Sequence, residues 1–157
     1  CSDILEFYTS AKGFSSITLK LFDTYGQDDP RGKLISLLDQ LSVTQECLAM
    51  SAGEQVVELT HIDDVCSAYL LSINILMDMK PSEKKTFGVD SDNRLKLKNL
   101  VSIYERTNNV SLNIKWGEKP YRDREVMLPC ENLPNVPGWV AKIDLHHGLK
   151  IENRLDK

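Results

Sequence analysis

The chain has 157 residues, 41% of them apolar, which is enough for one domain with a core of its own. Its net charge of −4 gives no general electrostatic support for a nucleic-acid partner, although local cations can still hold a small anion. The longest apolar run, 69–79, is broken by Ser72, Asn74 and Asp78 and is too short for a bilayer span, and no cationic, apolar and small-residue series announces a signal peptide.

Cys1 is not an initiator methionine, and Ser2-Asp3 leads straight into Ile4, Phe7, Tyr8 and Ala11 at helical spacing, with Gly13 as the stop. A helix body with almost no approach to it reads as cut from something longer. Residues 16–23 read as a buried strand through Ile17, Leu19, Leu21 and Phe22. That run breaks at Tyr25-Gly26 into a polar loop, and a helix then restarts on Leu34, Leu37, Leu38 and Leu41. A strand end and a helix start framing one loop is where open α/β folds put ligands. Short strands at 49–50 and 56–61 flank a turn at Ser51-Ala-Gly53. Asp63 and Asp64 open a long helix, as acidic residues suit its N-terminus, with Val65, Cys66, Tyr69, Leu70, Ile73, Leu76 and Met77 on one face. Pro81 stops it. A short strand at 85–89 precedes a helix striped by Leu97, Leu100, Val101 and Tyr104, and Asn108-Asn109 turns into a strand at 112–116. Residues 129–137 read as loop, and a last amphipathic turn or two passes through Leu145, Leu149 and Ile151. The alternation is α/β, but it leaves open whether the strands form a parallel sheet or a small α+β layer.

Several side chains invite a chemical reading. Arg31 and Lys33 precede the Leu34 helix, where cations oppose the helix dipole unless an anion sits there too; a solvated loop charge is the plain alternative. Arg122 and Arg124 flank Asp123, and guanidinium suits a diphosphate by charge and bidentate geometry; salt bridges to Asp123 or Glu125 are the alternative. Asp23 is either a strand-end turn residue or a site carboxylate that would bond a hydroxyl or a base amine better than a phosphate. His61 reads as a structural strand-end residue, Asp63 and Asp64 as helix caps, and Trp139 as tail packing. His146 and His147 are adjacent, so they point apart on a helix and predict no metal site. The four cysteines, Cys1, Cys47, Cys66 and Cys130, have no paired spacing; they read as buried or free thiols in a reducing cytoplasm, with Cys66 in the core.

Five phrases, in order across nearly the whole chain, resemble the extended short-chain dehydrogenase/reductase family of NAD(P)-dependent sugar-nucleotide epimerases and dehydratases. Residues 19–34, through Leu21-Phe-Asp-Thr-Tyr-Gly26, resemble its Arg-x-x-Asn-x-Tyr-Gly-Pro strand and the helix after it. Glu58-Leu-Thr-His-Ile-Asp-Asp-Val65 is similar to its His-Val-Asp-Asp-Val helix opening. Lys85-Thr-Phe-Gly-Val-Asp90 with Leu97-Lys-Asn-Leu100, Lys119-Pro-Tyr-Arg-Asp-Arg-Glu125, and Gly138-Trp139 with Leu145 and Gly148-Leu149 resemble its later signatures.

The resemblance implies a C-terminal part of a Rossmann-like enzyme with its small α+β substrate-binding lobe, a single portion spanning 1–157 without the N-terminal dinucleotide-binding half. It implies substrate contacts from Asp23, Arg31, Lys33, Leu34, Arg122 and Arg124, and a cofactor contact from Phe22, toward a nucleotide-diphosphate sugar and NAD or NADP in a cytoplasmic, homodimeric parent. Neither membrane nor metal is expected. The family's second diphosphate arginine falls on Val57, so Arg31 would have to compensate or the substrate be held differently. No Gly-x-x-Gly-x-x-Gly turn is present, so this chain alone is expected to bind no cofactor. The family's Tyr-x-x-x-Lys pair would fall just before Cys1; Tyr8 and Lys12 have the spacing but lie about one to two turns too close to the next strand. Within the family, Phe22-Asp-Thr-Tyr-Gly and Asp29-Pro-Arg-Gly-Lys33 look most like synthases of CDP-linked 3,6-dideoxyhexoses, which reduce a 4-keto sugar for O-antigen assembly. A non-enzymatic sugar-nucleotide-binding or dimerisation module is the alternative.

Overall fold

Helix α1 (Ser2–Lys12) runs into Gly13, whose φ of +70° is a conformation glycine adopts without strain. In this computed structural model residues 2–27, 29, 31–129 and 133–151 are described; Cys1 and Cys130 lie outside the described residues. Strand β1 (Ser16–Leu21) follows and leads to β2 (Asp23–Tyr25), α2 (Leu34–Thr44), β3 (Leu48–Met50), β4 (Val56–His61) and α3 (Ile62–Met77). Then come β5 (Lys84–Val89), β6 (Arg94–Lys96), α4 (Leu97–Asn108), β7 (Ile114–Trp116) and α5 (Leu145–Leu149).

Among the described residues the strands form three small sheets. β1 pairs in parallel with β5, from Ser16 opposite Lys84 to Leu21 opposite Val89. β4 is the centre of the second sheet, parallel to β2 and antiparallel to β6. β3 and β7 make a third, parallel pair. The architecture is therefore α/β, the parallel β1–β5 pair joined to a larger lobe with one mixed sheet and a second parallel pair.

Each part has its own core. Helices α2 and α4 close over β2 and β4, burying Tyr25, Leu38, Leu59, Leu100 and Tyr104, and the Tyr104 hydroxyl donates to Asp39 Oδ1 at 2.7 Å. Around β5 the second core gathers Val65 and Ala68 of α3, Phe87, Val89, Val136 and Trp139. Its tail is held by α3: Asp64, 3% exposed, accepts the backbone N–H of Lys142 and Ile143 at 3.0 Å each. Trp139 Nε1 donates to Ser67 Oγ at 2.8 Å, so this tryptophan packs the tail as expected.

Four expectations change. Residues 16–23 are two strands in two sheets, and Leu21 is exposed rather than buried. The cap of α3 is His61, whose Nδ1 accepts from Asp63 N at 3.2 Å, while Asp64 anchors the tail. The buried face of α3 is Val65, Ala68 and Ser72; Cys66, Tyr69, Leu70, Ile73, Leu76 and Met77 are exposed, so Cys66 is not core. The helix is apolar on both faces, and periodicity alone could not choose between them. Strand β6, finally, was not foreseen in the sequence; three residues with two cations carry little strand signal.

Ile4, Phe7 and Tyr8 of α1 are exposed like the outer face of α3, and among the described residues β1 pairs only with β5. An apolar surface of this kind and an open strand edge drive association. The 157-residue chain on its own is expected to self-associate and to melt over a broad range. Light scattering that found a monodisperse monomer, with a sharp cooperative melt, would count against this.

Candidate functional site

A cleft of about 1030 Å³ opens between β2, β4, the start of α2 and the strap of residues 119–129. Asp23 begins β2 and is fixed by register opposite Leu59. Lys33 is the N-cap residue of α2 in extended conformation, so its side chain leaves the helix and stands 3.6 Å from Asp23 Oδ1. Leu34, the first helical residue, lines the cleft beside it.

The strap is pinned to the β3–β4 connection at three points. Lys119 N donates to Met50 O at 3.1 Å, Glu54 N to the Tyr121 hydroxyl at 3.0 Å, and Val56 N to Met127 O at 2.9 Å. The connection itself turns at Gly53, with φ +70°, where a Cβ would fall 2.5 Å from the Trp116 ring. This stitching puts Arg122 and Arg124 on the cleft wall. Among the described residues, neither forms an ion pair with Asp123 or Glu125.

Asp23, Lys33, Leu34, Arg122, Arg124 and Phe22 thus all line one cleft, although the sequence separates them widely. Arg31 does not join them. Its guanidinium is spent on Asp29, Nε to Oδ1 at 2.6 Å and Nη2 to Oδ2 at 2.8 Å, and on Thr24 Oγ1 at 3.1 Å. The Arg31 bond holds the Asp29 carboxyl down at about 2. Val57 packs into the α2–α4 core, so nothing at that position offers charge to the cleft.

Two lining residues escaped the sequence reading. Lys119 opens the strap phrase and adds a cation to the wall. Glu58 sits inside β4, 2% exposed, and lines the same cleft. A lone acid between valine and leucine in a strand was the available signal. Its Oε2 accepts from Arg94 Nε at 2.8 Å, and Arg94 Nη2 donates to Asp90 Oδ2 at 2.8 Å. Burial, then the neighbouring Asp90, push the Glu58 carboxyl up to about 7. For Asp90, burial is outweighed by Glu58, the Asp92 N–H and Arg94, and its net shift is downward. The Arg94 guanidinium lies 5.8 Å from the Phe22 ring centroid. Among the described residues no cluster of three or more metal-ligating side chains occurs, and His146 Nδ1 is taken by Thr107 Oγ1 at 2.9 Å.

Residues 2–84 match the sequence profile described as the NAD dependent epimerase/dehydratase family. CDP-abequose synthase of Salmonella typhimurium (strain LT2) is 27% identical over 154 residues, covering 94% of this chain and 50% of that protein. The synthase of the same name from Yersinia pseudotuberculosis is 26% identical over 133 residues, covering 85% of this chain and 45% of its own length. The chain therefore spans about half the length of the curated relatives it matches. Among solved structures, a Stenotrophomonas maltophila UDP-glucose-4-epimerase with NAD and formylated UDP-arabinopyranose superposes with a TM-score of 0.77 at 17% identity, over 94% of this chain and 49% of that one. A Thermotoga maritima UDP-glucose 4-epimerase with UDP-glucose gives 0.76 at 21% identity, over 95% of this chain and 48% of that one. At such identities the likeness shows the fold, an extended Rossmann-like one.

A carboxyl whose folded pKa exceeds its unfolded one favours the fold only while protonated. The Glu58 contribution is full below its ordinary 4.5 and is lost as pH rises to about 7. Glu58→Gln should remove that loss, so urea unfolding should find the variant gaining stability relative to the parent between these two pH values. A constant difference across the window would refute the assignment.

Proposed function

Because the chain belongs to the NAD dependent epimerase/dehydratase family, we propose that its cleft is the nucleotide-diphosphate-sugar site of an NAD(P)-dependent enzyme that reduces a CDP-4-keto-deoxyhexose. The observation that carries this reading is that Lys33 from one part of the chain and Lys119, Arg122 and Arg124 from another line one cleft. Two phosphates need cations on more than one side, and guanidinium grips them with directed donors. Lys33 and Leu34 would meet the base and ribose. Asp23, a carboxylate with acceptors only, would take a hydroxyl or an amine. The CDP-abequose synthase names among the relatives favour the cytidine nucleotide and a role in O-antigen precursor synthesis. The whole protein would work as a cytoplasmic homodimer.

NAD or NADP would supply or accept the hydride in that protein. Phe22 is the contact this chain would offer it, and the sequence holds no glycine-rich phosphate turn to cradle its diphosphate. What this chain contributes is binding and orientation of the sugar nucleotide, which leaves the acid/base and cofactor-holding groups to the rest of the protein.

In the full-length protein Arg124→Ala should weaken CDP-sugar binding by about one and a half to three and a half decades, the equivalent of about 2–5 kcal/mol for a buried anion left without its partner. Cofactor affinity should not change. Equal CDP-sugar affinity in variant and parent, by calorimetry, would sink the site. The 157-residue chain alone should give no heat with NAD(H) or NADP(H), and a saturable dinucleotide isotherm would overturn the division of labour.

A further inference from the structure

Glu58 is an odd residue to find on the wall of a cleft meant for an anion. It is buried, faces Arg94 across the β4–β6 register, and shares that guanidinium with Asp90. Its second oxygen, Oε1, is buried with no hydrogen-bond partner among the described residues. Two carboxylates on one guanidinium leave a net negative charge, and a buried oxygen without a donor makes it costlier. One proton on Glu58 removes both defects. The cluster becomes neutral, and the new O–H has the neighbouring Asp90 carboxylate as its acceptor, a carboxylate that the Asp92 N–H already supports at 2.7 Å.

We propose that Glu58 is the proton-linked residue of the cleft: its carboxyl has to be uncharged for an anionic ligand to settle, so that binding a nucleotide-diphosphate sugar takes up one proton from solvent at Glu58. The inference rests on the reading of the cleft as a nucleotide-sugar site. The groups acting on Glu58 are Asp90 from the end of β5 and Arg94 from β6. Asp23 on β2 is turned to solvent and pairs with Lys33 instead. Across the cleft the strap presents Lys119, Arg122, Arg124 and Glu125. Cations there attract the diphosphate, while a charged Glu58 in a low-dielectric floor repels it. The coupling is reciprocal: if the proton favours the ligand, the ligand favours the proton. A diphosphate esterified at both ends has no ionisation of its own near neutrality, so a pH slope there belongs to the protein.

The test is calorimetric titration of the full-length protein with CDP-glucose at about pH 6 and about pH 8.5, in two buffers of different ionisation enthalpy. Affinity should fall about thirtyfold between the two, with proton uptake on binding at the upper end. Glu58→Gln, which supplies a neutral donor permanently, should abolish both the slope and the uptake. Asp90→Asn removes an influence that holds the Glu58 proton, so the fall in affinity should begin at lower pH; it serves as the second variant should Glu58→Gln not fold. Binding without a pH slope, or the same slope in Glu58→Gln, overturns this inference and leaves the site standing. No binding at about pH 6 removes the site and the inference together.

Discussion

One residue, Phe22, separates two consecutive strands that belong to different sheets. β1 has its hydrogen-bonding partner in β5, and β2 has its partner in β4, so the chain has to leave one sheet and enter another across a single residue. The same parting recurs where β5 gives way to β6. Backbone groups at such a seam lose their ladder partners and have to be satisfied by side chains. Thr60 Oγ1 donates to Val89 O at 3.3 Å and Ser91 Oγ to Leu59 O at 2.7 Å. Arg94 spans the same gap, with Glu58 on one sheet, Asp90 at the end of the other and the Phe22 ring beneath it. The cleft is the outer consequence of that seam: sheets that part leave a groove, and the groove inherits a polar floor.

The charges of the wall follow from what the fold can spare. Arg31 could have served an anion, but its Nε and Nη2 clamp the loop through Asp29 and Thr24, and the residue does not line the cleft. Glu54, similarly, is held at about 2 by Lys96 and Lys98, which fixes the β3–β4 connection against the start of α4 and commits those lysines to structure. The cations of the wall come instead from the helix cap, Lys33, and from the strap. The strap is attached through backbone and Tyr121, and among the described residues its arginine side chains form no ion pair.

Much of this was legible in the sequence wherever period and punctuation agreed. Leu97, Leu100, Val101 and Tyr104 are all buried in α4 as their spacing required, and Asn109 ends that helix in the left-handed conformation. The loop between Tyr25 and Leu34 and the strap phrase were recognisable by their wording, and both reach the cleft. What was not legible depended on partners. No periodicity tells that 16–23 divides at Phe22, because the division is decided by β4 and β5, distant in sequence. Cys66 and Leu70 satisfy a helical stripe as well as Val65 and Ala68 do, and only the β1–β5 pair and the tail decide which side is covered. Arg31 and Arg124 look equivalent in the sequence. Asp29, two residues away in a turn, removes the first.

Val57 ties the electrostatics to the packing. Its side chain is partly buried against the core of helices α2 and α4 and also lines the cleft. With that position apolar, the cations that line the cleft sit at the helix cap and on an exposed strap. Such side chains are free to rotate before a ligand comes, and ordering each costs about 0.5–1.5 kcal/mol. Attraction is therefore less pre-organised than it would be from a strand. Under that constraint the floor matters more than the wall: the net negative charge that an ionised Glu58 leaves on its cluster with Asp90 and Arg94 would act from a rigid, buried strand, while the cations opposing it act from side chains near solvent, where water weakens them. Neutralising one buried carboxyl is a more efficient route to holding an anion than adding another arginine at the rim, and the seam that parts the two sheets is what places that carboxyl there.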